Sequence, residues 1–288
     1  MITVRVSGGL GNQLFQYAAA RRLALKHHTT LRLELSFYGS YLTRAVEPQY
    51  PFVLSAFALA DALVPQGATL AALQAGRFVA RALRKARLPY PAHFYFAQHS
   101  GLFDPRVLDL PDGSFLTGHF QSERYFADIA PTVRREFRLK DGARQSAIEA
   151  RVADLRGSRP LVSLHVRRLG FLTTTREDKV VPREKILEAT ALFADCDFLV
   201  FSDDQDWCRE NLSMPNIRYS PFQTNIEDLI AMAACDHHII ANSTFSWWGA
   251  WLNPKESKRV VAPARWSSHR REDTIAHRDL LPGAWIRI

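Results

Sequence analysis

The sequence predicts a two-domain α/β protein that opens on a βαβ unit and whose second domain is built on a mostly parallel, doubly wound sheet. Three observations carry that reading: a strand, glycine turn and helix open the chain, prolines punctuate a looser middle, and short β-branched strands alternate regularly with helices beyond residue 160. At 288 residues the chain exceeds the usual size of one compact domain, and 47% apolar with 23% charged residues supplies a core without disordered bulk. Gly157-Ser-Arg-Pro160 reads as the linker, giving expected domains 1–156 and 157–288.

Residues 2–6 read as a strand, Ser7-Gly8-Gly9-Leu10-Gly11-Asn12-Gln13 as a turn, 14–26 as a helix and 31–35 as a second strand, a βαβ start. From residue 36 to about 91 the pattern loosens around Pro48, Pro51, Pro65, Pro89 and Pro91. Within it, 68–87 is helical in composition and sets Arg77, Arg81, Arg84, Lys85 and Arg87 beside Leu70, Leu73, Phe78 and Leu83. Such a basic amphipathic stretch could rest on anionic lipid, steer an acidic acceptor or present a solvated face. A helix at 143–155 precedes the linker. Beyond it, strands are expected at 161–166, 198–201, 217–219, 238–241 and 260–262, and helices at 183–193, 205–211, 226–235 and 243–252.

Lys plus Arg number 37 against 29 Asp plus Glu, a formal charge of +8 that favours a polyanionic partner: nucleic acid, phosphosugar or anionic lipid. The basic residues are dispersed and come with no RNP, helix-turn-helix or zinc-finger pattern, which argues against nucleic acid. Cys196, Cys208 and Cys235 are odd in number and lack metal-ligand spacing, so neither a disulfide framework nor a zinc site is expected. The opening residues read directly as a strand, and no run of about 20 apolar residues follows. The expectation is a cytoplasmic protein with peripheral contact at the inner membrane face.

Open parallel sheets bind ligands at the carboxyl ends of their strands. Three strand ends carry suitable chemistry. Leu161-Val-Ser-Leu-His165-Val-Arg167-Arg168 runs from a buried strand into His and two Arg, where a guanidinium fork could grip a diphosphate or pair with neighbouring carboxylates. Phe201-Ser202-Asp203-Asp204 could hold ribose hydroxyls or a base amine, or cap the next helix. His238-Ile-Ile-Ala241-Asn242-Ser243-Thr244-Phe245-Ser246 passes from strand to helix N-terminus, the recipe for a phosphate seat. Trp247, Trp248 and Trp251 at helical spacing fit core packing better than a sugar-stacking platform. Gly9 and Gly11 after a strand imitate half a dinucleotide fingerprint, but Leu14 occupies the third glycine position, so an NAD-linked oxidoreductase is disfavoured. The same turn could instead present the amides of Leu10, Gly11 and Asn12 to a sugar or phosphate.

Gly8-Gly9-Leu10-Gly11-Asn12-Gln13-Leu14-Phe15-Gln16-Tyr17-Ala18, His165-Val-Arg167-Arg168, Phe201-Ser-Asp-Asp204 and Asn242-Ser-Thr-Phe-Ser-Trp-Trp-Gly-Ala-Trp251 together resemble glycosyltransferase family 11, the α-1,2-fucosyltransferases, of bacterial type. Gly118-His-Phe-Gln121-Ser-Glu123, Ala262-Pro263 and Leu281-Pro282 extend the resemblance along the chain. It implies a GT-B-like fold with two Rossmann-like domains facing a cleft, the N-terminal one on the acceptor side and the C-terminal one on the donor side. It also implies GDP-β-L-fucose as donor, inversion at the anomeric carbon, and no metal or other cofactor. A galactoside O2 on an oligosaccharide or glycolipid of a surface glycan would be the acceptor. The implied site has Arg167 and His165 as catalytic groups, with Gly9, Gly11, Asn12, Gln13, Arg168, Asp203, Asn242, Ser243, Thr244, Phe245 and Ser246 binding substrate. Glu123 is a candidate base or an exposed structural acid. The family normally carries Gly-Asp after its two arginines, whereas this chain has Leu169-Gly170 followed by Phe171, so an acid expected near the donor is missing unless Glu177 or Asp178 folds back to replace it. A different nucleotide-sugar donor, or a relative that binds GDP-sugars without transfer, are the alternatives.

Overall fold

The structure, a computed structural model, describes residues 1–39, 50–60, 62–173, 177–214, 216–266 and 277–288. Contacts divide the chain into two compact units, Met1–Lys140 with Ala276–Leu280, and Asp141–Ile275 with Leu281–Ile288. The division therefore falls ahead of the expected 156/157, because the helix Gly142–Leu155 packs with the second unit against the helix Asn225–Ala234. Arg144 pairs with Glu227 at 2.9 Å, and Arg156 donates to the Ala234 carbonyl at 3.1 Å. Asp141 starts that helix by accepting from the Arg144 N–H.

The first unit holds β1 (Ile2–Arg5), β2 (Leu31–Glu34), β3 (Ala62–Leu63), β4 (Phe94–Phe96) and β5 (Phe115–Thr117) in the order β3-β2-β1-β5-β4, all pairs parallel. The helix Leu10–Lys26 begins earlier than expected. Gly8 takes the reversal alone at φ +75°, and Gly9 then stands at the N-cap position. β3, β4 and β5 have two or three residues each, too short to display alternation, and sequence pattern does not single them out.

The second unit holds β6 (Leu161–Val166), β7 (Asp197–Ser202), β8 (Ile217–Tyr219), β9 (His237–Ile239), β10 (Val260–Ala262) and β11 (Ile286–Arg287) in the order β11-β10-β9-β6-β7-β8, again all parallel. From β6 the chain builds outward through β7 and β8, then returns to the other side of β6 for β9, β10 and β11. The β6/β9 junction is thus a topological switch point, where open α/β sheets form their ligand crevice. All six residues of β6 are buried, as a central strand covered on both faces requires. Trp247, Trp248 and Trp251 are buried in the helix Thr244–Leu252 with ring separations of 5.0–6.1 Å, and Trp285 lies 5.5 Å from Trp247. They form core, as the packing reading expected.

Candidate active site

A cavity of about 540 Å³ opens where β6, β9 and β10 end. His165, Val166 and Arg167 reach it from β6, Asn242 from the segment after β9, and Pro263 and Arg265 from the segment after β10. Leu164, Ile186, Ala189, Ile239 and Val261 give it an apolar floor, while Asp178, Lys185, Arg167 and Arg265 supply charge. An apolar cavity with a few convergent polar groups at a switch point is a standard small-molecule site.

His165 is buried, and its ring meets the Phe245 ring edge-on at 5.6 Å. Burial drives its pKa down to about 3, the Arg167 guanidinium adds to the fall, and Asp203 opposes it. The imidazole is therefore neutral near pH 7 and acts as a hydrogen-bonding group rather than as a cation. Its Nδ1 is buried and has no partner among the described residues. Asn242 donates from Nδ2 to the Lys179 carbonyl at 3.1 Å, which fixes the amide and leaves its buried Oδ1 likewise unpartnered among those residues. Buried polar atoms normally find partners, so two orphans on one cavity wall mark where a polar ligand docks.

Arg167 lies over the Phe171 ring at 5.1 Å. The turn behind it is fastened by Asp203, which accepts from the backbone N–H of Arg168 at 2.8 Å and of Gly170 at 2.9 Å. Asp203 is not among the residues lining the cavity; its carboxylate shapes the turn that presents Arg167. Arg168 points elsewhere, pairing with Asp204 at 3.2 Å and stacking on Trp207 at 4.0 Å. Of the two arginines, only Arg167 faces the cavity. Asp204 also caps the helix Gln205–Asn211 by accepting from the Trp207 N–H.

At the helix Thr244–Leu252, Ser243 is the N-cap, its hydroxyl accepting from the Phe245 N–H at 3.3 Å. Ser246 is 1% exposed and donates to the Ser243 carbonyl, and it is not among the residues lining the cavity. Thr244 stays half-buried at the helix start, two residues after Asn242, and is not among the residues lining the cavity.

The glycine-turn residues belong to the first unit, and the cavity is lined entirely from the second. Gln13 is fully buried: its amide donates to the Gly8 and Pro51 carbonyls and accepts from the Val53 N–H. These bonds brace the turn. Asn12 accepts from Gln121 at 2.8 Å. Gly11 is buried within the first helix, and a Cβ at Gly9 would lie 3.3 Å from the Tyr50 ring. Glu123 is half-buried at the start of a short 3₁₀ turn.

Of the two acids weighed as replacements, Asp178 supplies a carboxylate on the cavity wall and Glu177 does not line it. Lys185 and Arg265 escaped sequence reading. Arg265 follows β10 closely, so strand-end reasoning could have found it, whereas Lys185 sits inside a helix and pairs with Glu188 at 2.7 Å. Among the described residues, no group of three His, Cys, Asp or Glu is placed to hold a metal ion, and no helix is long and apolar enough to cross a membrane. The three cysteines are buried and unbridged.

The chain is 27% identical to alpha-1,2-colitosyltransferase of Escherichia coli over all of its own length and 99% of the relative's. It is also 27% identical to the O-antigen biosynthesis glycosyltransferase WbnK of Escherichia coli, over 91% of this chain and 93% of the other. The crystal structure of POFUT1 in complex with GDP-fucose superposes with a TM-score of 0.53 at 13% identity, covering 91% of this chain and 97% of that one, and shares the GT-B fold. The family model described as Glycosyl transferase family 11 matches residues 91–288, which include the whole cavity wall. This chain belongs to glycosyl transferase family 11.

Proposed function

We propose that the protein transfers L-fucose from GDP-β-L-fucose to a glycan hydroxyl, O2 of a galactoside, with inversion and without a bound metal. The observation that carries this reading is the cavity at the β6/β9 switch point, with Arg167 on its wall beside two buried, unpartnered polar atoms, His165 Nδ1 and Asn242 Oδ1. In the reaction the acceptor oxygen attacks the anomeric carbon and loses its proton to a base. The bond from that carbon to the β-phosphate oxygen breaks, and its electron pair leaves with GDP. Negative charge grows on the diphosphate as it departs. Arg167 faces that charge as a fixed cation, and the start of the helix Thr244–Leu252 adds its positive dipole end. Neutral His165 contributes a hydrogen bond.

A second donor is favoured by one feature. Leu169-Gly170 removes a family acid beside the donor, and the similar full-length relative is named a colitosyltransferase; colitose is fucose without its 3-hydroxyl. A sugar with one hydroxyl fewer needs one polar partner fewer.

The test is turnover of GDP-fucose and GDP-colitose on a galactoside, with EDTA throughout, by wild type and Arg167→Ala. Arg167→Ala is expected to slow transfer by about 10²–10³-fold, the usual worth of one preorganised donor. Its unliganded melting temperature should match wild type, and its stabilisation by GDP should shrink. Wild-type turnover in Arg167→Ala overturns the assignment of Arg167, and turnover abolished by EDTA overturns metal independence.

A further inference from the structure

The helix Gly67–Lys85 buries little of itself. Its inner side meets the aromatic cluster of Phe94, Phe96 and Phe115 through Leu73 and Ala80. At Gly76 the approach is so close that a Cβ would lie 2.8 Å from the Phe94 ring. Arg84 closes that side, stacking over Phe96 and donating to its carbonyl. With the inner side fixed, 100° per residue places Ala68, Ala71, Ala75, Phe78, Val79 and Ala82 together on the outer side. All six are exposed; Phe78 is 71% and Val79 54% exposed. Leu63 and Val64, just before the helix, are 50% and 46% exposed.

This inverts the ordinary surface helix, whose solvent face is polar. The border of the apolar face is cationic: Arg81 and Lys85 flank it, Arg87 follows, and none is buried. Between residues 62 and 103 there is no Asp or Glu at all. We propose that this face docks on an anionic lipid surface, with Phe78 and Val79 entering the headgroup–acyl boundary while Arg81, Lys85 and Arg87 lie against lipid phosphates. Apolar residues on one face and cations along its edge are what holds a helix in the plane of a membrane. A second copy of the chain fits poorly, since pairing this face with itself brings cations together with no acid in the segment to offset them. The face belongs to the first unit and shares no residue with the cavity, so it concerns where the enzyme works rather than what it transfers.

The test is co-sedimentation of the full chain with phosphatidylcholine vesicles, with and without about 30% phosphatidylglycerol. Binding is expected only with phosphatidylglycerol and should weaken as salt rises from about 0.1 M to about 0.5 M. The Phe78→Glu, Val79→Glu double variant and the Arg81→Glu, Lys85→Glu double variant should each bind at least about tenfold less. Both should retain wild-type melting temperature and transfer to a soluble acceptor, which separates lost docking from lost folding. Absence of wild-type binding to the anionic vesicles overturns the proposal, as do unchanged binding by either double variant and a dimer in solution that Phe78→Glu dissociates.

Discussion

Gly170 shows how closely the candidate site is set by single residues. A methyl group there would stand 3.0 Å from Arg167 Nη2 and 3.2 Å from Asp203 Oδ2, tighter than ordinary contacts. The backbone raises no objection to alanine, since Gly170 is not in the left-handed region and alanine favours helical conformation by up to about 1 kcal/mol over glycine. Two effects of Gly170→Ala therefore act on different readouts. Unliganded stability is expected to stay within about 1 kcal/mol of wild type. Transfer should fall roughly ten- to a hundredfold as the guanidinium is pushed from its seat on Phe171. Equal turnover in the two proteins, measured beside matched melting temperatures, would show that the Arg167 position tolerates displacement. The spatial logic also explains why adjacent arginines diverge: Arg168 is held by Asp204 and Trp207, leaving Arg167 to face the cavity.

At the scale of elements, the helix Asn225–Ala234 ties the second unit together through its first turn. Thr224 accepts from the Glu227 N–H while Glu227 accepts from the Thr224 N–H, a reciprocal capping box. The other oxygen of Glu227 takes Arg144 of the preceding helix, and that pairing holds the Glu227 carboxyl below its ordinary range. Thr224→Ala is expected to cost about 1 kcal/mol. All six tryptophans belong to the second unit, so a urea titration followed by tryptophan fluorescence reads that unit directly. An unchanged midpoint would mean that water replaces the cap without loss. Long, periodic elements such as β6 and the helix Gln205–Asn211 are legible in the sequence residue for residue, because burial on both faces or capped periodicity repeats over enough positions to be seen. β4 and β5 escape because three residues cannot show a period and, unlike β8 and β10, they stand outside the regular strand–helix alternation; β5 pairs with β1 and β4 with β5, contacts between residues far apart in sequence. The same limit governs the site. Arg167 and Asn242 stand out as polar residues just past apolar strands, whereas the bracing bonds of Gln13 and Ser246 are revealed only by the fold.

For the molecule as a whole, three buried titratable groups set opposing responses to pH. His165 and His238 are pushed below the ordinary imidazole range by burial; Ser163 and Asn253 bond the two ring nitrogens of His238. In the unfolded chain both bind protons below about pH 6.5 that the folded protein refuses, so the stability they confer is present above that pH and lost as pH falls. Asp228 behaves oppositely. Burial raises its carboxyl to about 6, against a bond from the Ser220 hydroxyl that favours the charged form. Folding therefore favours the protonated acid, and this contribution is full below about pH 4 and lost as pH rises through about 6. Two histidines outweigh one aspartate, so the melting temperature should drop from about pH 7 toward about pH 4. Asp228→Asn keeps an oxygen for Ser220 and removes the charge. Near pH 8 it should exceed wild type by up to about 2–3 kcal/mol, the worth of about two pKa units. The advantage should vanish near pH 3, where the wild-type carboxyl is itself neutral in both states. A difference in melting temperature that is the same at both ends would assign the effect of the substitution to packing instead of charge.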